Sequence, residues 1–153
     1  MGATDQGAQI MLNACLNAFY FGTAVLSPQD AAVRRPPNWD PIVYFRSGEA
    51  ELTWDARQVA AKVALYSAAQ ACDGGEPYRR FVVVGHADTA GSEAANLELA
   101  RGRAEAVADA LVREGVERSR IELQWKGEAD PAVAGPDGTP EALNRRALIY
   151  MGW

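Results

Sequence analysis

Several features that would indicate catalysis, metal binding or nucleic-acid binding are scarce in this sequence. It has two cysteines and one histidine in 153 residues, so these residues alone cannot build a zinc site or a histidine-rich metal centre. Lys and Arg number 15 against 20 Asp and Glu, and the resulting net charge of −5 gives no basic face for nucleic acid. No apolar run reaches the roughly 18 residues that a transmembrane helix needs. We therefore expect no metal, no cofactor, no nucleic-acid partner and no transmembrane helix.

The composition is instead that of a folded domain with an extension. Hydrophobic residues make up 48% and charged residues 23% of the chain, and 153 residues suffice for one hydrophobic core. Pro36 and Pro37 stop a helix and favour extended backbone. We therefore divide the chain into an N-terminal extension at 1–37 and a domain at 38–153. Apolar residues at helical spacing in the extension predict a helix that docks on the domain.

The N-terminal sequence and the cysteines leave the compartment open. The residues before Ile10 include Asp5 and no Lys or Arg, whereas a secretory signal starts with a basic region. Cys15 and Cys72 are interpreted either as two reduced thiols or, if the protein is exported, as one disulfide that ties the extension to the domain. The sequence does not decide between these two states.

Strand-like and helix-like patterns alternate along the domain. Short β-branched or aromatic runs predict four strands, and apolar residues at helical spacing predict two helices, the first capped by Thr53 and the second stopped by Gly115. The predicted elements are strand 42–45, helix 53–71, strand 81–84, helix 92–114, strand 121–125, a loop at 129–140 and strand 147–151. This order predicts an α/β (α+β) two-layer sandwich, in which one sheet packs against two helices.

One acid and one arginine follow the second predicted strand. Asp88 lies in the loop after that strand, and Arg103 lies on the helix that follows the loop. A carboxylate and a guanidinium at one end of a sheet can hold the ammonium and the carboxylate of a zwitterion. The structural alternative is that Asp88 accepts hydrogen bonds from turn amides and that Arg103 bridges to it.

The helix at 92–114 has two predicted faces. Its core stripe comprises Leu97, Ala100, Ala104, Val107, Ala108 and Leu111. A second stripe, formed by Asn96, Leu99 and Arg103, starts near the loop that carries Asp88. A ligand between the loop and this stripe would meet all four residues.

Two arginines on this helix differ in their local partners. Arg101 has Glu98 and Glu105 within helical reach, so it can be paired on the surface. Arg103 has only apolar residues at the corresponding positions. Its partner is therefore solvent, a residue elsewhere in the fold, or a ligand carboxylate held by two hydrogen bonds.

Other candidate sites are weaker. His86 could serve as a metal ligand or a general base, but a metal site needs further ligands and a structural histidine is the better interpretation. Glu49 and Glu51 could be the paired carboxylates of a glycosidase. They lie two residues apart in a segment leading into a helix, so we interpret them as solvated acids.

The residues around Asp88 form a longer motif. It comprises Gly85-His86-Ala87-Asp88, Gly91, Asn96, Leu99, Arg103-Ala104 and Val107. These positions resemble the core motif of OmpA-like peptidoglycan-binding domains, a family that includes the C-terminal domain of outer membrane protein A, the peptidoglycan-associated lipoprotein and flagellar stator proteins. Further matches are Val43-Tyr44-Phe45, Glu51-Leu52, Gly127-Glu128, Pro131, Asn144-Arg145-Arg146 and Ile149. The resemblance covers roughly residues 40–151 and implies an OmpA-like βαβαββ fold with a mixed four-stranded sheet.

The resemblance also implies a ligand and the residues that hold it. The ligand is the free D-amino-acid end of meso-diaminopimelate in the peptidoglycan stem peptide, with its ammonium on Asp88 and its carboxylate on Arg103. Thr89 and amides near Ser92 would add hydrogen-bond donors.

Further residues would complete that site. Asn96 would supply a neutral hydrogen bond and Leu99 an apolar wall. Asn144 and one of Arg145 or Arg146 would support the site from the last strand.

The sequence departs from the family pattern near these residues. The family usually has Thr where Ala87 stands, an aromatic residue at Ala95 and Ser at Ala100. Its first loop often carries Asp or Asn and a second Phe, where this chain has Arg46 and Ser47. Asp88 and Arg103 are kept, so recognition is expected, while the cation at Arg46 bears on affinity and on which stem-peptide charge is tolerated.

We therefore expect a non-catalytic domain of the periplasm and cell envelope, associated with the outer membrane, that binds peptidoglycan through diaminopimelate. Such binding would tether an envelope component to the cell wall. One alternative is a protein-interaction module that keeps this fold without binding peptidoglycan and meets an envelope protein through residues 1–33. Another is an enzyme that modifies the wall.

Overall fold

The computed structural model describes residues 41–72 and 80–152, and its elements follow the predicted order. They are β1 (Ile42–Tyr44), α1 (Trp54–Cys72), β2 (Arg80–Gly85), α2 (Glu93–Arg113), β3 (Ile121–Trp125) and β4 (Arg146–Gly152), with short 3₁₀ turns at Arg118–Arg120 and Ala142–Asn144. The predicted elements agree with these bounds to within one or two residues. The helix predicted in the extension and Cys15 lie outside the described residues, so the domain boundary and the disulfide stay predictions.

The four strands form one mixed sheet in the order β1-β4-β2-β3. Strand β4 pairs antiparallel with β1 and with β2, whereas β2 and β3 are parallel. Strand β2 is therefore an inner strand, which explains its continuous apolar run. The predicted fold class is confirmed.

Helices α1 and α2 pack against the sheet and against each other. The shared core has large side chains from the strands and many alanines from the helices: Val43, Phe81, Val83, Ile149, Ala60, Val63, Ala104, Val107 and Leu111. A Cβ built on Gly85 would lie 1.9 Å from the carbonyl oxygen of Ala100. The end of β2 thus touches the backbone of α2, and this contact fixes the loop between them at one end of the sheet.

Neither described helix is both long and apolar enough to cross a membrane.

The helix boundaries have local causes, of which the Thr53 cap and the Gly115 stop are the predicted ones. The hydroxyl of Thr53 accepts from the amide of Ala56 at 3.2 Å, and that of Ser92 accepts from the amide of Ala95 at 3.2 Å. Gly115, after the end of α2, has a φ of 99°, a conformation that glycine adopts without strain.

The prediction of one core residue, Leu97, is wrong. Leu97 is 42% exposed, although its helical position matches the buried stripe. The first turn of α2 lies over the β3–β4 loop, where a Cβ on Gly127 would be 3.3 Å from the Cα of Leu97. Solvent therefore reaches the stripe at this end of the helix.

Candidate functional site

Asp88 lies at the carboxyl end of β2 and is almost fully buried, with 4% exposure. Its loop is held on both sides, because the amide of His86 donates to the carbonyl of Arg146 at 2.8 Å and that of Ala87 donates to the carbonyl of Gly127 at 2.7 Å. Asp88 Oδ2 accepts from the amide of Glu141 at 3.2 Å. Asp88 Oδ1 has no hydrogen-bond partner among the described residues.

Arg145 is the cation that contacts Asp88 directly. Its Nη1 donates to Asp88 Oδ2 at 3.1 Å, and its Nε donates to the carbonyl of Phe45 at 3.2 Å. The side chains of Arg145 and Asp88 are 16% and 5% exposed, so the pair is largely shielded from water. Arg146, the other arginine considered for this role, donates to the carbonyl of Asp130 instead.

Arg103 is completely buried and is held by main-chain carbonyls. Its Nε donates to the carbonyl of Glu49 at 2.9 Å, its Nη1 to that of His86 at 2.9 Å, and its Nη2 to that of Arg46 at 3.1 Å. Of the partners that the sequence left open, residues elsewhere in the fold are the ones observed. The predicted bridge between Arg103 and Asp88 is not formed in the part of the chain that the structure describes, where Arg145 takes that place.

The centre of the site carries excess positive charge. Burial lowers the pKa of Arg103 to about 10, Asp88 opposes this shift, and Arg145 adds to it. Arg103 therefore remains a cation at neutral pH. Two guanidinium groups face one carboxylate here, in a chain whose net charge is −5.

Three other predicted site residues surround this centre. Asn96 is buried, and its Nδ2 donates to Glu128 Oε2 at 2.8 Å. The hydroxyl of Thr89 accepts from the amide of Thr139 at 3.3 Å. Asn96 and Thr89 thus fasten the β3–β4 loop, while Leu99 is half-buried on the second stripe of α2.

His86 is buried without a hydrogen bond to either ring nitrogen from the residues described. Burial, with the charge of Arg146 as the next cause, lowers its pKa to about 4, so the ring is neutral near pH 7. The nearby backbone of Ala129 raises the pKa of His86, although its contact with the ring does not have the geometry of a hydrogen bond. Within 41–72 and 80–152, no group of three His, Cys, Asp or Glu side chains lies close enough to hold a metal ion.

Two clefts lined by described residues adjoin the site. One of about 380 Å³ lies between β1 and the start of α1, and its lining includes Tyr44, Phe45, Arg46, Thr53, Asp55 and Arg145. The other, of about 460 Å³, lies between the start of α2 and the β3–β4 loop, and its lining includes Thr89, Glu93, Leu97, Lys126, Glu128 and Asp137. Arg145 both lines the first cleft and contacts Asp88.

Sequence reasoning missed the main-chain contacts of this site. The amide of Glu141 and the carbonyls of Arg46 and Glu49 are brought in by loops. Every residue type supplies these groups, so no residue pattern marks them.

The model of the OmpA family matches residues 44–145, a range that contains Asp88, Arg103 and Arg145. The chain belongs to the OmpA family. Domains of this family are not enzymes, so the domain is non-catalytic.

Curated relatives of this OmpA-family domain include envelope proteins. It is 31% identical over 107 residues to the peptidoglycan-associated lipoprotein of Haemophilus influenzae, covering 70% of this chain and 66% of that protein. It is 31% identical over 108 residues to outer membrane protein A of Bordetella avium, covering 71% of this chain and 53% of that protein. The chain thus spans between about half and two thirds of the length of these two relatives.

A solved structure has the same fold. The crystal structure of the peptidoglycan-associated lipoprotein from Burkholderia pseudomallei superposes with a TM-score of 0.62 at 26% identity, covering 82% of this chain and 96% of that one. The match supports the βαβαββ order and the mixed sheet.

Proposed function

We propose that this OmpA-family domain binds peptidoglycan non-covalently through the meso-diaminopimelate of the stem peptide. Such binding would tether an envelope component to the cell wall in the periplasm. The observation that carries the proposal is the state of Asp88, a buried carboxylate beside two arginines whose Oδ1 accepts no hydrogen bond from the described residues.

The ammonium of the ligand would bind Asp88. Oδ2 already accepts from Glu141 and Arg145, whereas Oδ1 accepts from none of the residues that the structure describes, so we assign the new donor to Oδ1. Asn96 Oδ1 also accepts nothing from the described residues and provides a neutral acceptor on the same flank. A primary ammonium has three N–H donors and can use both oxygens.

The carboxylate of the ligand would bind Arg103. Its guanidinium has five N–H donors, of which three are donated to carbonyls, so Nη1 and Nη2 each keep one. Two parallel N–H groups are what a bidentate carboxylate contact needs. Since Arg103 is fully buried, the ligand reaches it only if the 46–49 loop shifts. The side chain of Arg145 is more exposed than that of Arg103, and it stays paired with Asp88 when the ligand binds in this proposal.

The surrounding residues shape the site. Leu99, half-buried beside Arg103 on α2, would form an apolar wall against the methylene chain of diaminopimelate. Thr89 acts indirectly in this proposal, because its hydroxyl is engaged with the β3–β4 loop. The matching relatives named peptidoglycan-associated lipoprotein support peptidoglycan as the binding partner, and the relative named outer membrane protein A supports the cell envelope as the location. An envelope partner that binds residues 1–33 remains part of the proposal.

Sedimentation with purified sacculi tests this function. We expect the domain to sediment with sacculi that contain diaminopimelate, to be released by free meso-diaminopimelate, and to bind less well to sacculi that contain lysine instead. Asp88→Asn keeps the shape of the side chain and removes its charge, and it should weaken binding roughly tenfold or more. Asp109→Asn is the matched control, because Asp109 is an exposed acid on α2.

The results separate the two function classes. Undiminished binding by a folded Asp88→Asn variant would contradict the proposed site. Absence of binding by the unaltered domain would favour the protein-interaction module instead.

A further inference from the structure

The lining of the cleft of about 380 Å³ beside β1 includes two arginines, Arg46 and Arg145, and one carboxylate, Asp55, among the described residues. Arg46 projects from its rim with a side chain that is 73% exposed. The guanidinium of Arg46 donates no hydrogen bond to any described residue, and its nearest acid is Glu49, with 3.9 Å between Nη1 and Oε2. At that distance and exposure the ion pair is weak, so the Arg46 donors are open to a ligand.

Arg145, which is paired with Asp88, also contributes hydrogen-bond donors to this cleft. Its Nε and one N–H of Nη1 are used by Phe45 and Asp88, while Nη2 makes no hydrogen bond to the described residues. Both arginines line the same cleft, so their remaining N–H groups are candidates to bind one anion there.

The acceptors of the cleft limit what kind of anion fits. Asp55, in the first turn of α1, is its one lining carboxylate among the described residues. The hydroxyl of Thr53 is occupied by the amide of Ala56. Arg145 is already paired with Asp88, so Arg46 is the lining cation that has no hydrogen-bonded acid among the described residues. A single uncompensated cation favours a carboxylate over a doubly charged phosphate. Phe45, Val59 and Ala56 add apolar lining that suits a peptide better than a free ion.

We propose that the Arg46–Arg145 cleft binds a second carboxylate of the stem peptide, separate from the carboxylate assigned to Arg103. The proposal deepens the function above and rests on it. Because Arg145 contacts Asp88 and also lines the cleft, a peptide held at Asp88 extends into the cleft without leaving the protein surface. Two groups have this chemistry, the α-carboxylate of D-glutamate and the L-centre carboxylate of diaminopimelate.

Calorimetric titration with three soluble muramyl tripeptides tests the subsite. The ligands are the unmodified L-alanyl-γ-D-glutamyl-meso-diaminopimelate form, the form amidated at D-glutamate, and the form amidated at the L-centre of diaminopimelate. Arg46→Gln should weaken binding of the unmodified form roughly threefold to tenfold. One of the two amidated forms should bind the unaltered domain and Arg46→Gln equally, and that form identifies the carboxylate.

Two further variants test whether Arg46 contacts the ligand directly or only adds to the positive charge near it. Arg57→Gln removes an exposed cation nearby on α1 that does not line the cleft, and it should leave all three affinities unchanged. Asp55→Asn removes the opposing acid and should strengthen binding of the unmodified form roughly twofold. Weaker binding in Asp55→Asn, or equal losses in Arg57→Gln and Arg46→Gln, would contradict the proposal.

The failure of this inference is distinguishable from that of the proposed function. If the unaltered domain binds the tripeptides and Arg46→Gln binds them equally well, or loses affinity equally for all three, the subsite is wrong while diaminopimelate binding stands. If the unaltered domain binds no tripeptide, both are wrong.

Discussion

Arg145 and Asp88 form a largely buried ion pair across the site, with 3.1 Å between Nη1 and Oδ2. The two residues are brought together because β4 lies beside β2 and both loops lie at the same end of the sheet. Arg145 also donates to Phe45 after β1, so one side chain connects three strand ends. The pair orients the carboxylate, and its second oxygen accepts no hydrogen bond from residues 41–72 and 80–152.

This pair should couple strongly in a double-mutant cycle. Removing one partner leaves the other charged and buried without compensation, so Asp88→Asn and Arg145→Gln should each lower the free energy of unfolding. We expect a coupling energy of about 1–3 kcal/mol from urea unfolding of the two single variants and the double variant. A coupling near zero would show that water screens the two charges from each other.

Arg103 should tolerate no substitution by lysine. Three carbonyls accept from three different guanidinium nitrogens, whereas an ammonium presents all its donors at one point. We expect Arg103→Lys to cost about 2–4 kcal/mol in the free energy of unfolding, measured by urea denaturation. Arg101→Lys is the control, because Arg101 is exposed and paired with Glu105, and it should leave stability nearly unchanged.

The positions of the elements could be predicted because their signals are local. The spacing of apolar residues marks each helix within its own segment. The Ser92 cap and the Gly115 stop lie within a few residues of the boundaries that they set. The prediction that Leu97 is a core residue was wrong. Helical periodicity gives the direction in which a side chain points, but it does not give the point at which the helix leaves the sheet. That position depends on the β3–β4 loop, which is distant in sequence.

The site could be predicted only in part for the same reason. The sequence showed that Arg103 lacks a partner on its own helix, and the observed partners are carbonyls from 46–49 and from His86. Nothing in a residue pattern identifies a carbonyl as an acceptor, since every residue has one. The pairing of Asp88 with Arg145 depends on β4 lying beside β2 in the sheet, and the predicted order of elements along the chain leaves that neighbour open.

Gly85 should be required for the contact between β2 and α2. A methyl group there would lie 1.9 Å from the carbonyl oxygen of Ala100, a backbone atom that cannot move without shifting α2. We expect Gly85→Ala to cost more than about 3 kcal/mol or to prevent folding, as seen in thermal melts by circular dichroism. Gly135→Ala is the control, because nothing lies within 4 Å of its Cβ position, and its melting temperature should stay that of the unaltered domain.

His86 should make the domain less stable in mild acid. Burial and then Arg146 lower its pKa from 6.5 to about 4, while Asp130 and Lys126 act in opposite directions on it. Between these values the unfolded chain binds a proton that the folded chain does not, so stability is fully present above pH 6.5 and falls as the pH drops toward 4. The contribution reaches at most about 3 kcal/mol. Because the chain has one histidine, an NMR titration of its imidazole C–H signals reports this group alone.

The matching stability measurement compares urea unfolding at pH 7, 6 and 5 for the unaltered domain and His86→Gln. Glutamine does not titrate, so the variant should lose less stability than the unaltered domain over this interval, while the carboxylates contribute equally to both. An imidazole pKa near 6.5 in the folded domain, or equal pH slopes for the two proteins, would mean that water or an ion reaches the ring and solvates its charged form.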